Sequence, residues 1–176
     1  MTESKKTAGS KDNFVDNVIN VRRVTKVTKG GKRFSFSALV VSGDQQGKVG
    51  ISLGKSRDVS SAISKATNKA RKRMIEIPLR GTTIPYDVKG KHGASKVIIR
   101  SASKGTGVIA GGAMRALMEA AGIKDVLAKS LGSANRQNVV KAALNALAKL
   151  RTASQLAKSR GKTVRQIVGE KNVEAE

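Results

Sequence analysis

Cysteine is absent from this chain of 176 residues, and histidine occurs once, at His92. Disulfides and thiolate metal sites are therefore excluded, which is compatible with a reducing cytosol and leaves stability to packing. Carboxylate pairs are missing as well, because between Asp16 and Glu170 no two acidic residues lie closer than the six positions from Glu119 to Asp125. We therefore predict that the chain is not an enzyme and needs no metal or cofactor.

Long apolar runs and aromatic side chains are also scarce. No window approaches 18 continuous apolar residues, and no apolar stretch follows the N-terminal lysines, so we expect no transmembrane helix, no signal peptide and a cytoplasmic location. Aromatic residues make up 2% of the chain, which leaves few platforms for base stacking. Phe34 and Phe36 have the spacing of core residues on one strand, so recognition of folded RNA through phosphates, 2′-hydroxyls and shape is favoured.

Positive charge is what the chain has in excess. Lys and Arg number 35 against 12 Asp and Glu, a formal net charge of +23. Residues 21–75 carry 14 cations and two acids, and residues 76–165 carry 17 cations and four acids. Self-repulsion of this size is typical of a protein that lies against a polyanion, and nucleic acid is the leading candidate.

The segment from Lys26 to Phe36 places cations on both sides of a double glycine and then alternates apolar with polar residues. We predict a hairpin here, because residues 18–27 are rich in β-branched side chains and residues 33–41 have a period of two. Gly30 and Gly31 can adopt positive φ and allow a phosphate backbone to approach closely. The cations near the tip are candidates for phosphate contact, namely Lys26, Lys29, Lys32 and Arg33.

A third strand and a helix are predicted after this hairpin. Turn residues at 42–47 precede the strand, which alternates until Gly54, and Asp58 is a good N-cap for the helix. A basic face opposite an apolar stripe is often only a solvated surface. Here its position beside the cationic hairpin favours RNA contact by the whole group, which consists of Lys55, Arg57, Lys65, Lys69 and Lys72.

The pattern changes near Pro78, where we place a domain junction. The second part is predicted to be a two-layer α/β arrangement. Its helix at residues 112–121 is apolar nearly all round and should be buried, with Gly122 as its end. The predicted strands lie near residues 82–88, 96–101 and 125–131, and a second helix lies near residues 135–150.

Two glycine patterns resemble nucleotide-binding motifs. Residues 50–56, ending in Gly54-Lys55-Ser56, lack one of the four residues that a Walker A loop requires between its glycines. Residues 105–110 satisfy the dinucleotide pattern, with Asp125 twenty positions further on. Neither lies in the expected strand and helix context, so a nucleotide-using enzyme is the weaker alternative.

Several segments of the chain match the motifs of one known family. They are Arg23-Val-Thr-Lys26, Lys29-Gly-Gly-Lys-Arg-Phe-Ser-Phe36, Ala38-Leu39, Val49-Gly50, Gly54-Lys55, Gly105-Thr-Gly-Val-Ile-Ala-Gly-Gly-Ala-Met-Arg115, Val126-Leu-Ala-Lys-Ser-Leu-Gly-Ser133 and Asn138-Val-Val140. By these segments the chain resembles the bacterial-type S-five family of small-subunit ribosomal proteins. The resemblance covers about residues 14–150, and no site is carried into the Lys91–Ser95 loop or beyond Thr152.

The resemblance implies that a loop at residues 24–33 reaches into small-subunit (16S) rRNA at the junction of head and body. It further implies contacts with the neighbouring proteins S-four and S-eight, proximity to the messenger RNA entrance, and a contribution to translational accuracy. The surface facing S-four is expected at Gly107, Gly111, Gly112 and Arg115. The residues expected to contact RNA are Arg23, Lys26, Lys29, Gly30, Gly31, Lys32, Arg33, Lys55, Arg57, Lys65, Lys69 and Lys72.

The predicted fold class is α+β. A double-stranded-RNA-binding-like domain of three antiparallel strands and one helix, at residues 14–77, is followed by an α/β domain at residues 78–152. Residues 1–13 are expected to be a disordered tail, and residues 153–176 a short helix and an acidic tail. The predicted function is that of a structural, rRNA-binding part of the small ribosomal subunit; the alternative is a free-standing basic RNA or DNA chaperone.

Overall fold

The first half of the chain forms an antiparallel sheet of four strands in the order β1-β2-β3-β4, as seen in a computed structural model that describes residues 14–168. The predicted three strands and helix are confirmed, but β3 continues two residues beyond Gly54 and a short fourth strand pairs with it. The elements are β1 (Val15–Thr28), β2 (Gly31–Gly43), β3 (Lys48–Ser56), α1 (Val59–Arg71) and β4 (Ile75–Glu76).

Helix α1 lies directly on glycines of strand β3. A Cβ atom added at Gly54 would lie 2.1 Å from the carbonyl oxygen of Ala62, and one at Gly50 would lie 2.2 Å from that of Ala70. Asp58 is the N-cap, as predicted, and its side chain accepts a hydrogen bond from the backbone N–H of Ser61. The glycines of the Walker-like pattern therefore serve close helix–strand packing.

The second half forms another four-stranded sheet, in the order β5-β6-β8-β7. Strands β7 and β8 are parallel, and the other neighbours are antiparallel. Helix α3 packs against β5 and β6, and α2 contacts α3. The elements are β5 (Val88–His92), β6 (Ser95–Ser101), β7 (Val108–Ile109), α2 (Gly112–Ala121), β8 (Val126–Gly132), α3 (Arg136–Leu147), α4 (Ala153–Arg160) and α5 (Val164–Val168).

Most of the predicted elements of this half are confirmed, and one is wrong. Helix α2 has the predicted bounds and ends at Gly122, which has a φ of 84°. The strand predicted at residues 82–88 does not form; the strand begins at Val88 instead. Pro85 has no N–H to donate to a ladder, and the carbonyl of Thr82 accepts the N–H groups of Lys124 and Asp125. Residues 82–87 therefore form an irregular connecting segment that leads into β5.

Buried residues from both halves meet in one large hydrophobic cluster, and a separate small core under α1 consists of Ala38, Val40, Ala62 and Ala66. Val41, Val49 and Ile77 of the first half pack in the same cluster as Leu117 and Met118 of α2. The division into two domains at Pro78 stays a prediction, but the two sheets share a core.

The ends of the chain are described only in part. A short helix after Thr152 is confirmed as α4, which has a capping box between Thr152 and Gln155, and α5 follows it. The predicted tail at residues 1–13 and the predicted acidic end lie outside the described residues. None of the helices in residues 14–168 is long and apolar enough to span a membrane.

Candidate nucleic-acid interface

Strands β1 and β2 extend beyond the sheet as a two-stranded ribbon. The pairing of β2 with β3 ends at Phe36 and Ser56, whereas the pairing of β1 with β2 continues to Thr28 and Gly31. The segment expected to be a loop, residues 24–33, is therefore paired strand except at a two-residue turn. All the cations of this ribbon are exposed.

The turn at the tip consists of Lys29 and Gly30. Gly31 follows with a φ of 143°, which favours glycine, whereas Gly30 is not in the positive-φ region. The Thr28 hydroxyl donates a 3.1 Å hydrogen bond to the carbonyl oxygen of Gly31. A Cβ atom at either glycine would meet no other atom within 4 Å, so both backbones are open to a partner.

The base of the ribbon, the end of β3 and helix α1 enclose an open groove of about 1150 Å³. We call this the basic groove. Its cations come from β1, β2, β3, α1 and the connection that precedes α1. Four uncharged residues and one aromatic ring complete the wall. Its lining residues are Val24, Thr25, Lys26, Arg33, Phe34, Ser35, Lys55, Ser56, Arg57 and Lys65.

Within residues 14–168, no carboxylate neutralises the cations of the basic groove. In residues 14–168 the ion pairs join Arg71 to Asp16, at 2.6 Å, and Arg100 to Asp87, at 3.6 Å. The five groove cations therefore have no acidic partner within 4.0 Å in this part of the chain. Clustered and uncompensated cations create a strong positive potential that attracts a polyanion.

The predicted RNA-contacting residues fall into four places. Lys26, Arg33, Lys55, Arg57 and Lys65 line the basic groove. The tip of the ribbon carries Lys29, Gly30, Gly31 and Lys32. Lys69 lies in the last turn of α1 and Lys72 is its C-cap, where a positive charge also interacts favourably with the helix dipole. Arg23 lies on the ribbon against Phe34.

The interpretation of Phe34 as a core residue is wrong. Its side chain is 46% exposed and lines the basic groove, while Phe36 packs against the small core under α1. The Arg23 guanidinium carbon lies 3.7 Å from the centroid of the Phe34 ring. The alternation of apolar and polar residues continues through Phe36 and Phe34, but α1 and β3, which cover Phe36, do not extend over Phe34.

The second glycine pattern is held by an acidic side chain of its own chain. One carboxylate oxygen of Asp125 accepts hydrogen bonds from the backbone N–H groups of Gly105, at 3.0 Å, and Gly107, at 2.9 Å. A hydrogen bond from the Thr82 side chain and that from Gly107 hold the pKa of Asp125 below its ordinary value, although burial opposes them. These two N–H groups are therefore occupied by Asp125, so they do not offer a phosphate cradle.

The residues expected to face S-four gather at the start of helix α2. Gly111 is the N-cap and Gly112 opens the helix, and both are exposed. The Arg115 side chain, which is exposed, donates a 2.9 Å hydrogen bond to the carbonyl oxygen of Val108 in β7. Gly107 precedes β7 and has a φ of 75°. Gly111, Gly112 and Arg115 form one exposed corner of the second half, and Gly107, which is half-buried, lies next to β7.

A four-stranded antiparallel sheet backed by one helix, with a basic groove beside it, is typical of the class of proteins that have a double-stranded-RNA-binding-like domain. Comparison with known families is more specific. The family model for ribosomal protein S5, N-terminal domain, matches residues 14–78, and that for ribosomal protein S5, C-terminal domain, matches residues 90–160.

Relatives of similar length agree. Small ribosomal subunit protein uS5 of Syntrophobacter fumaroxidans is 53% identical over 154 residues, which cover 88% of this chain and 93% of the relative. That of Gluconacetobacter diazotrophicus is 51% identical over 163 residues, covering 92% and 85%. That of Lawsonia intracellularis is 53% identical over 149 residues, covering 85% and 91%.

The chain belongs to the ribosomal protein S5 family of the small ribosomal subunit. The resemblance on which the fold and function predictions rested is thereby confirmed, as is the cytoplasmic, ribosomal location. The relatives are named as ribosomal components, and the chain is not an enzyme.

Proposed function

We propose that the chain binds 16S rRNA through the basic groove and the ribbon, and that it thereby fixes the head of the small subunit to its body. The observation that carries the proposal is the convergence of five cations in one groove without a carboxylate within 4.0 Å in the described residues. Structured RNA presents phosphates and 2′-hydroxyls that such a surface recognises by charge and shape.

The exposed corner at Gly111, Gly112 and Arg115, with the adjacent Gly107, is the proposed contact with S-four. S-eight is proposed as a further neighbour, and the cations near the ribbon would lie close to the messenger RNA entrance. A contribution to translational accuracy would follow from movement at the S-four contact. Arg115 supports this proposal, because its bond to Val108 ties β7 to α2 and fixes the shape of the corner.

Assembly of small subunits tests the groove. Small subunits are reconstituted with a groove variant that combines Lys55→Gln, Arg57→Gln and Lys65→Gln. The matched control variant carries the same change to Gln at Lys158, Arg160 and Lys162, which are exposed cations far along the chain. We expect the groove variant to dissociate from the particles at a lower salt concentration than the control variant. Equal retention of the two variants would contradict the groove assignment, and failure of the wild type to sediment with small subunits would favour a free-standing RNA or DNA chaperone.

Accuracy is tested separately at the corner. Arg115→Ala is expected to change the misreading frequency of assembled ribosomes while leaving rRNA affinity unaltered. An unchanged misreading frequency would contradict the accuracy proposal and leave the rRNA proposal standing.

A further inference from the structure

Phe34 is an aromatic side chain that the fold leaves uncovered in the middle of a cationic surface. It pairs with Thr25 across the ribbon, beyond the last β2–β3 pair at Phe36 and Ser56, so no third strand lies beside it. Its 46% exposure contrasts with that of Phe36, which packs against Ala38 and its neighbours in the core under α1. Exposure of a large apolar ring costs burial free energy, so its position at a binding groove needs a reason.

The ring is held in place by Arg23. The guanidinium carbon of Arg23 lies 3.7 Å from the Phe34 centroid, which is a stacking distance for a cation over an aromatic face. A planar guanidinium over one face orients the ring without burying it, and the ring still lines the basic groove. The pair is therefore a pre-oriented flat surface beside cations that can bind phosphates.

The other aromatic rings in residues 14–168 are engaged elsewhere. Phe14 lies under Arg71, with 4.9 Å between the guanidinium carbon and the ring centroid, and is half-buried. The Tyr86 hydroxyl accepts a hydrogen bond from the N–H of Arg151 and lies 3.4 Å from the carbonyl oxygen of Lys149. In this part of the chain, Phe34 is the aromatic residue that lines the basic groove.

We propose that the Phe34–Arg23 pair is a stacking platform for one unpaired nucleobase of the bound RNA. The inference rests on the proposed RNA binding and adds a preference to it: cations on the groove wall hold the backbone, and Phe34 receives a base that has left the helical stack. Bases extruded from bulges and loops stack on such rings, and one base–aromatic contact is a substantial part of the affinity of RNA-binding proteins. The chain then distinguishes bulged from fully paired RNA.

Two RNA probes test the proposal, a fully paired 20-base-pair duplex and the same duplex with a single bulged 2-aminopurine. The wild type should bind the bulged RNA at least about five-fold more tightly than the duplex and should change the 2-aminopurine fluorescence on binding. Phe34→Leu, which keeps an apolar side chain, should bind the bulged RNA no more tightly than it binds the duplex and should lose the fluorescence change. Phe34→Tyr, which keeps the ring, should retain the preference and the fluorescence change.

Several outcomes would overturn the proposal. One is a Phe34→Leu protein that prefers the bulged RNA as strongly as the wild type does, and another is a wild type that does not distinguish the two probes. Either result would mean that Phe34 only packs on Arg23 to stabilise the ribbon. The same titrations test the proposed RNA binding separately. If the wild type binds the duplex with an affinity that falls as the salt concentration rises, the RNA-binding proposal stands whatever the result for Phe34. Urea unfolding of both variants establishes that they are folded.

Discussion

The backbone N–H of Gln45 donates a 3.1 Å hydrogen bond to the carbonyl oxygen of Ala120. The N–H of Gly47 likewise donates to the carbonyl oxygen of Ala121, at 3.0 Å. The turn between β2 and β3 thus satisfies carbonyl groups that the end of α2 leaves without helical partners. This junction joins the half that carries the proposed RNA-binding groove to the half that carries the proposed protein contacts.

Gly43→Ala is expected to destabilise the protein through this junction. A Cβ atom at Gly43 would lie 2.0 Å from the carbonyl oxygen of Ala120, a backbone atom that cannot move aside alone. We expect a loss of about 1–3 kcal/mol in the free energy of unfolding, measured by urea denaturation. Gly112→Ala is the control, since a Cβ atom there meets nothing within 4 Å and alanine favours the helix. Equal stability of Gly43→Ala and the wild type would contradict the tight junction.

Gly54→Ala is expected to destabilise the protein without any effect on nucleotide binding. The new Cβ atom would lie 2.1 Å from the carbonyl oxygen of Ala62 and would push α1 away from β3, with a loss of about 1–3 kcal/mol. Ser64→Ala, on the exposed side of α1, should change stability by less than about 0.5 kcal/mol. Calorimetric titration of the wild type with ATP should show no saturable binding; saturable binding that Gly54→Ala abolishes would revive the nucleotide interpretation.

Asp125→Asn is expected to destabilise the protein in a pH-dependent way. The folded state holds the pKa of Asp125 below the ordinary value of 3.8, so the carboxylate contributes stability that is fully present above pH 3.8 and is lost as the pH falls through the folded pKa. The difference in unfolding free energy between wild type and variant should therefore be constant near neutral pH and shrink in acid. A difference that does not change with pH would show that the charge of Asp125 is not what holds the glycine loop.

Neutralising the cations at the tip of the ribbon and the adjacent Arg33 is expected to weaken the salt dependence of RNA binding. Each phosphate contact contributes about 0.7–0.9 units to the slope of log K against log salt, so Lys29→Gln, Lys32→Gln and Arg33→Gln combined should reduce the slope by about two to three units. The affinity is measured for a 16S rRNA transcript across a range of salt concentrations. The triple variant at Lys158, Arg160 and Lys162 is again the control, and an unchanged slope in the ribbon variant would remove the tip from the interface.

The sequence by itself determined the secondary structure wherever a pattern had a local physical cause. Alternation of apolar residues produced β2 and β3, the Asp58 side chain started α1, and the freedom of Gly122 to take positive φ ended α2. The excess of cations indicated a polyanion as the partner, and the resemblance to a ribosomal family, which family models and relatives confirm, identified it as rRNA.

Only the tertiary structure decided which of these residues meet. Phe34 and Phe36 have the same local pattern, but α1 and β3 cover Phe36 and stop short of Phe34. Phe36 therefore packs against the core, and Phe34 lies in the basic groove. Gly50 and Gly54 only resemble a Walker A loop, but the backbone of α1 fills the space beside them. Gly107 fits the dinucleotide spacing, but the Asp125 carboxylate occupies its N–H group. Whether a residue is buried, and which backbone lies against it, depends on residues far apart in the chain. The periodicity of a short segment cannot predict such long-range contacts.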